Sequence, residues 1–517
     1  MSVKTDQKIP DWVILLPAAL FVLVAHLMAI KGYGYFRDEL YYIACSEHPA
    51  FGYVDQPPLS LWILKAVRTI LGDSLFAIRI LPVLFSAVWV VLTGLIARMF
   101  GGRKYAMLLA SFAAAAPLGN LFLFSYYSMN FLDLIFWQIL FIIIIKLVQT
   151  DQPRYWIVFG IVAGLGLLNK ISILFLSAGL VTGLLLTDNR YHLKTRQFWT
   201  GVVIAFALFL PYVLWNALHD WAFLEFMHNA KTYKMADVTP VQFFIGQFLY
   251  NNPINIWVWI PGLIFLLMHR SAKIFRVFGW MYVFIYILFT IQQAKDYYLA
   301  AAYPVLFAGG AVLWEKWMGH RLGLVFKPVL VLLIVLSTAL MSPMTLAILP
   351  VEKTINFMKS TGIRGNPGEN HEVGILPQYY ADMHGWKEMV DTFAAVYSQL
   401  SPEEQSDCLI YVRNYGEAGA IDFFGRAYGL PKAVCAHNNY WIWGPPEWNG
   451  ETAIVYGWSH NVEDNLNDLN RRFDSVDHEA TFHHPYCMPY QNNRPIFICR
   501  NARFDFREIW NQEKNFN

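Results

Sequence analysis

The residue types fit for chemistry in this sequence stand where those types are costly to keep. Asp38, Glu39 and Asp55 fall in the stretch from Tyr33 to Leu61, YGYFRDELYYIACSEHPAFGYVDQPPLSL, among seven aromatic residues and straight after a very apolar run. Asp133 opens another apolar run in YYSMNFLDLIFW, and Lys170 lies inside one in GLGLLNKISILFL. Lys295 and Asp296 stand between two more, in IQQAKDYYLAAAYPVL. Carboxylates and lysines at or within membrane spans are expensive to desolvate, so they mark ligand sites, proton relays or transport paths. Each also has a structural reading. The aromatics of 33–61 suit an interfacial belt. Asp133 suits a helix N-terminus, and Lys295 with Asp296 an interfacial pair in which the lysine snorkels. His26 reads as a satisfied core histidine, and Asp220, Glu225 and His228 as parts of an interfacial helix.

The elements that must position these residues are membrane spans. Of 517 residues, 56% are hydrophobic and only 15% charged, against about 25% charged in a soluble domain. The net charge of +2 gives no basic field for nucleic acid. Long apolar runs, of which about 20 residues cross a bilayer, predict about eleven transmembrane helices. They lie near 11–30, 77–98, 105–124, 130–148, 155–169, 171–187, 198–218, 243–268, 274–293, 297–317 and 328–348. The pair around Asn169 and Lys170 reads as two short segments or one long one. The first run is long and no small-residue cleavage site follows, so it reads as a retained span rather than a signal peptide.

Orientation follows from the basic residues. With Lys4 and Lys8 cytoplasmic, the alternate short loops are basic: Arg98, Arg103 and Lys104; Lys146 and Arg154; Arg190, Lys194 and Arg196; Arg270, Lys273 and Arg276; Lys316, Arg321 and Lys327. Lys65, Arg68 and Arg79 break the pattern, in LWILKAVRTILGDSLFAIRI, whose spacing suits an amphipathic helix on the membrane surface. On this arrangement all the acidic and lysine candidates face the outer side, which predicts a shared outer cavity.

From about residue 350 the long runs stop, dividing the chain into a membrane domain, 1–349, and a C-terminal domain, 350–517. In the latter VGIL, CLIYV, AIVYGW and PIFIC read as strands, and WKEMVDTFAAVYSQL and GAIDFFGRAYGL as helices. This predicts an extracytoplasmic α/β domain large enough for its own core. All five cysteines, Cys45, Cys408, Cys435, Cys487 and Cys499, fall on the outer side, as disulfides or as buried thiols. No spacing points to zinc, and no nucleotide-binding glycine loop or internal repeat is present.

Taken together these motifs resemble the C-type glycosyltransferases of the protein mannosyltransferase and lipid A aminoarabinose transferase superfamily. RDELYY is similar to the acidic motif after the first span, and GYVDQPPLSLWI to a second element usually written with a basic residue or histidine before Pro-Pro. SMNFLDLIFW, GLLNK and KDYYLAAAYP match later elements in the same order, over roughly residues 10–345. The resemblance implies a bacterial inner-membrane enzyme with a periplasmic C-terminal domain. Its reaction would be inverting transfer of one sugar from a polyprenyl-phosphate donor to a hydroxyl of a protein, lipid A or envelope glycan. By the resemblance Asp38 is the general base. Lys170 and Lys295, with Arg37 behind them, stabilise the departing lipid phosphate. Glu39 and Asp55 shape the acceptor pocket or hold a divalent metal ion, Tyr298 contacts donor phosphate or sugar, and Asp133 with Asn130 sits nearby. Gln56 stands where relatives carry a basic residue or histidine, which weakens any carry-over of phosphate or metal binding there.

Two other classes compete. A transporter or flippase of lipid-linked sugar also places acids and lysines in a membrane, but it favours repeated halves and none is visible. A structural envelope protein leaves the buried charges unexplained.

Overall fold

A computed structural model describes residues 10–318, 320–362, 372–445 and 447–517. Lys4 and Lys8, on which the orientation rests, lie outside these residues, as does the side chain of Arg321. Packing groups the chain into two compact units. The first comprises Met1–Gly32, Phe76–Val213 and Asp237–Pro350, and the second Tyr33–Leu75, Leu214–Ala236 and Val351–Asn517.

The first unit is helical. Seven helices among the described residues are long and apolar enough to cross a membrane, from Asp11–Ala29 to Val325–Met344. The number rises to nine if two bent pairs each count as one span. One pair joins Ile173–Leu185 to Asp188–Lys194 at 120°, and the other Pro240–Tyr250 to Pro253–Met268 at 100°. The described helices therefore support seven to nine crossings where the apolar runs suggest eleven. The difference lies in 105–124 and 155–169, whose helices, Lys104–Ala115 and Tyr155–Leu167, have 12 and 13 residues. The first stops ahead of Pro117, because a proline has no N–H with which to continue the helix ladder. The second stops ahead of Asn169 and Lys170, and a new helix begins at Ile173, so this region is two segments and not one.

His26 is buried with both ring nitrogens at carbonyls, 2.7 Å from Val22 O and 3.0 Å from Leu121 O. It is a core histidine. The stretch 61–80 is not one surface helix. Gly72, at φ +80°, ends Leu59–Leu71, and the span Leu75–Met99 begins after it. Arg79 falls in that span and is 1% exposed. Its Nη1 reaches the carbonyls of Ile30 and Gly32 at 3.3 and 3.4 Å. It caps the C-terminal end of the Asp11–Ala29 helix from inside rather than marking a membrane surface.

The second unit contains a five-stranded mixed sheet in the order β2-β1-β3-β5-β4. The strands are β1 (Cys408–Tyr411), β2 (Ala433–Val434), β3 (Thr452–Tyr456), β4 (Phe473–Phe482) and β5 (Arg494–Ala502). β1 runs parallel to β2 and β3, and β5 antiparallel to β3 and β4. CLIYV, AIVYGW and PIFIC hold β1, β3 and β5. VGIL forms no strand: Ile375 is 63% exposed and the chain turns at Pro377 into a short helix. β4 reads as polar because it is an edge strand with most side chains in solvent. Its Phe473 and Val476 join the core that holds Leu409, Val455, Phe497 and Cys499.

Two segments from far earlier in the sequence complete this unit. Val54, Ala222 and Phe516 share one core, flanked by Phe226, Trp441 and Ile442. Asn229 Nδ2 donates to Phe516 O at 2.8 Å, and Lys514 pairs with Glu225 at 2.8 Å. All five cysteines are free and buried, so the thiol alternative holds.

Candidate active site

The acidic candidates of the second unit hang on the helix Arg37–Glu47, which starts immediately after the first span's connection. Glu39 is its third residue. Its Oε2 accepts the Phe36 N–H at 2.9 Å, and its side chain is fully buried. A carboxylate at that position satisfies an orphan helix donor and complements the helix dipole. Glu39 thereby holds the helix start.

Asp38, next to it, points elsewhere. Its Oδ1 accepts the Tyr415 hydroxyl at 3.1 Å and lies 3.7 Å from Arg37 Nε. About a third of the side chain is exposed, and among the described residues Oδ2 accepts no protein hydrogen bond. Arg37 is itself held. Its Nη1 donates to the Tyr490 hydroxyl at 2.7 Å, its backbone N–H donates to Asp382 O at 2.9 Å, and its guanidinium lies 5.3 Å from the centre of the Tyr415 ring. Burial works against its charge, yet Asp382, Tyr415, Tyr490 and Asp38 keep it protonated.

Asp55 lies one aromatic layer away. The Tyr41 hydroxyl is 3.1 Å from Asp55 Oδ1 and 3.1 Å from Asn439 Oδ1. Asn439 Oδ1 also accepts the Val54 N–H at 2.8 Å. The rings of Tyr41 and Tyr415 meet with centroids 4.6 Å apart, so two touching tyrosines lead from one aspartate to the other. Burial pushes the Asp55 carboxyl up to about 7. Its own backbone N–H and Tyr41 pull it down, Asp38 pushes it up and Lys234 pulls it down, in that order. A carboxyl poised near neutrality can hold or release a proton at working pH. Gln56 is fully buried, with neither amide atom bonded among the described residues.

The candidates of the first unit gather where the Met129–Thr150 helix begins. Ser128 caps that helix, its Oγ accepting the Asn130 N–H at 3.3 Å. Asp133 sits a turn further in and is not the cap. It accepts the Ser172 hydroxyl, and its Oδ2 is 3.8 Å from Lys170 Nζ. Lys170 donates to Asn130 Oδ1 at 2.7 Å, and its ammonium lies over the rings of Tyr297 and Tyr298 at 5.4 and 5.5 Å, a cation–π arrangement. Asn169 Nδ2 donates to Met129 O at 2.9 Å. The break between the two short helices is thus pinned to the start of the next. Lys295 is half-buried, and its carbonyl accepts the Tyr298 N–H at 3.0 Å. Asp296 fills the space beside Gly246, where any Cβ would strike its carboxylate at 2.2 Å.

Asp38 and Asp55 therefore form one neighbourhood, and Asp133, Lys170 and Tyr298 another. The tyrosines and amides around them, Tyr415, Asn439, Tyr490, Ser172 and Tyr297, carry no local signal that sets them apart in the sequence. Among the described residues no three His, Cys, Asp or Glu side chains converge as a metal-binding set. Glu39 serves its helix and Asp55 leans on Tyr41, so the pair suggested for a divalent ion does not fit one.

The description dolichyl-phosphate-mannose-protein mannosyltransferase belongs to the family model that matches residues 55–215. The lipid A galacturonosyltransferase RgtD of Rhizobium johnstonii is 24% identical over 317 residues, 59% of this chain; the match spans 66% of that relative's length, just under two thirds. ArnT from Cupriavidus metallidurans, solved bound to undecaprenyl phosphate, superposes with a TM-score of 0.59 at 12% identity, over 94% of this chain and 97% of its own. The chain is similar to C-type glycosyltransferases in part of its sequence and in its fold. The apo form of the same ArnT gives a TM-score of 0.57 over the same shares. The apolar helices mark a membrane protein, the likenesses are to sugar transferases, and nothing in them favours the transport reading.

Proposed function

We propose that this protein is a C-type glycosyltransferase that moves a single sugar from a polyprenyl-phosphate donor to a hydroxyl acceptor at the outer face of a bacterial inner membrane, with inversion. The name of its galacturonosyltransferase relative favours lipid A, or a similar envelope glycolipid, as the acceptor over a protein. The undecaprenyl phosphate bound by ArnT supports the donor class. On this reading the N-terminus is cytoplasmic, the two short helices complete eleven crossings, and the sheet-containing part is extracytoplasmic.

Asp38 would take the proton from the acceptor hydroxyl as its oxygen bonds to the anomeric carbon. The bond from that carbon to the phosphate oxygen breaks, and its electron pair leaves on polyprenyl phosphate. A phosphate is a weak base, so it departs without a general acid but needs its charge met by preorganised cations. Lys295 and Lys170 would supply these, with Tyr298 contacting the donor. The observation that carries the base assignment is the Asp38 carboxylate itself: one oxygen is engaged by Tyr415, the other accepts no hydrogen bond among the described residues, and a third of the side chain is exposed.

The test is release of sugar from undecaprenyl-phosphate hexoses, uronic acids and aminopentoses by detergent-purified protein supplied with lipid A. Turnover by wild type that falls to a small residual rate in folded Asp38→Asn is expected. Turnover surviving that change would move the base to another residue, and wild-type inertness toward every donor would overturn the reaction class.

A further inference from the structure

Tyr415 belongs to the helix Tyr415–Phe424, far from Asp38 in sequence but in the same compact unit. The start of this helix is unusually well tied. Asn414 Oδ1 accepts the N–H groups of Gly416 and Glu417 at 3.0 and 3.1 Å. The fully buried Glu417 accepts from the Arg413 N–H at 2.9 Å and from Arg413 Nη2 at 2.7 Å. Caps of this kind fix the first helical turn, and Tyr415 is its first residue.

Two glycines three positions apart then let this helix press against Arg37–Glu47. A Cβ at Gly416 would stand 2.4 Å from Arg37 Cγ, and one at Gly419 would stand 2.9 Å from the Leu40 carbonyl. Close approach through small residues fixes the register of two helices. That register delivers the Tyr415 hydroxyl to Asp38 Oδ1. The Tyr415 ring is packed among Tyr41 at 4.6 Å, His437 at 4.8 Å and the Arg37 guanidinium at 5.3 Å, so it has little freedom to turn. A hydroxyl donating to a carboxylate makes a charge-assisted bond, and one oxygen held in this way leaves the other oriented for an incoming proton.

We propose that Tyr415 is a positioning residue for the catalytic Asp38, and that residues 351–517 are thereby part of the catalytic apparatus rather than an appended acceptor-recognition domain. This rests on Asp38 being the base. Tyr415 touches no reacting atom. It fixes the rotamer of the group that does, and the Gly416–Gly419 face fixes Tyr415.

The experiment compares wild type, Tyr415→Phe, Asp38→Asn and the double variant in full-length protein. The probe is the undecaprenyl-phosphate sugar that wild type consumes with lipid A, and each variant's thermal unfolding is followed alongside. Tyr415→Phe keeps the ring and removes only the hydroxyl. The expected result is a kcat at least tenfold lower and an unchanged KM for donor, with the unfolding temperature lowered only by the loss of one hydrogen bond to a charged group. In the Asp38→Asn background the same change should remove nothing further from the residual turnover. Wild-type kcat in Tyr415→Phe beside an inactive Asp38→Asn would overturn the positioning role and leave the base in place. Losses that multiply in the double variant would also overturn it. Full turnover by Asp38→Asn would remove the base reading, and this proposal with it.

Discussion

Lys170 can be asked whether it serves the fold or the reaction, because its local partners are explicit. Its ammonium is 3.8 Å from Asp133 Oδ2, and the two side chains are 14% and 7% exposed. At an effective dielectric constant of about 20, two unit charges at that distance attract by about 4 kcal/mol. Desolvation offsets much of this, but removing one partner leaves the other buried and unpaired, which costs about 3–5 kcal/mol. Lys170→Met should therefore lower the unfolding temperature in detergent sharply, leaving the buried Asp133 carboxylate without its cation. Asp133→Asn should cost less, since Lys170 keeps Asn130 at 2.7 Å. The double variant Asp133→Asn/Lys170→Met should recover most of the loss, with a coupling of about 2–3 kcal/mol between the sites. Turnover separates the roles. If the ammonium also meets the departing phosphate, the stable double variant stays slow, by about 100-fold or more for a lost electrostatic donor. A double variant no more stable than Lys170→Met would refute the pairing. One that recovered both stability and wild-type turnover would refute the catalytic role and leave Lys295 as the cation.

Asp55 should make stability fall as pH rises. Its carboxyl is raised from the ordinary range to about 7, so the folded state holds a proton that the unfolded state releases, and stability declines between about pH 4 and 7. Asp55→Asn should flatten that slope in unfolding curves taken across the range; an unchanged slope would contradict the burial. Glu39→Ala should cost about 1 kcal/mol of stability through the lost cap and Glu39→Gln less, with donor KM unaltered in both; a rise in KM would return Glu39 to the binding site. Gly246→Ala should destabilise the fold, because its Cβ has no place beside the Asp296 carboxylate. The five buried thiols should resist an aromatic disulfide reagent until the protein is unfolded, and reductant should leave the unfolding temperature where it was.

How much of this was legible beforehand depends on the range over which each signal acts. Apolar runs located the helices because burial in lipid is written residue by residue, but they could not say which runs bend or stop short. Pro117 and the Asn169–Lys170 pair decide that through local geometry and polar pinning. Asp38, Asp55 and Lys170 stood out because charge is conspicuous beside an apolar run. Glu39 stood out for the same reason and turned out to hold a helix start, since composition cannot tell a cap from a ligand. Arg79 looked like a surface residue from its spacing, yet it reaches the carbonyls of Ile30 and Gly32, which only folding brings near. Tyr415 and Asn439 were invisible: one tyrosine and one asparagine among many, given meaning by partners nearly 400 positions away. Strand β4 hid because an edge strand in solvent carries no apolar pattern.

The core that joins Val54, Ala222 and Phe516 draws on three lengths of chain separated by whole sets of spans. That arrangement sets a timetable for biogenesis. During synthesis at about 5–20 residues per second, the segment bearing Asp38 and Asp55 is made early and must wait on the order of a minute for the last residues to emerge. Until then Tyr41 lacks Asn439, Asp38 lacks Tyr415, and the aromatic surface of 33–75 has no partner. The 33–75 segment would stay unlocked until Asn439 and Phe516 reached it, and a change at Phe516 would be felt in the first loop.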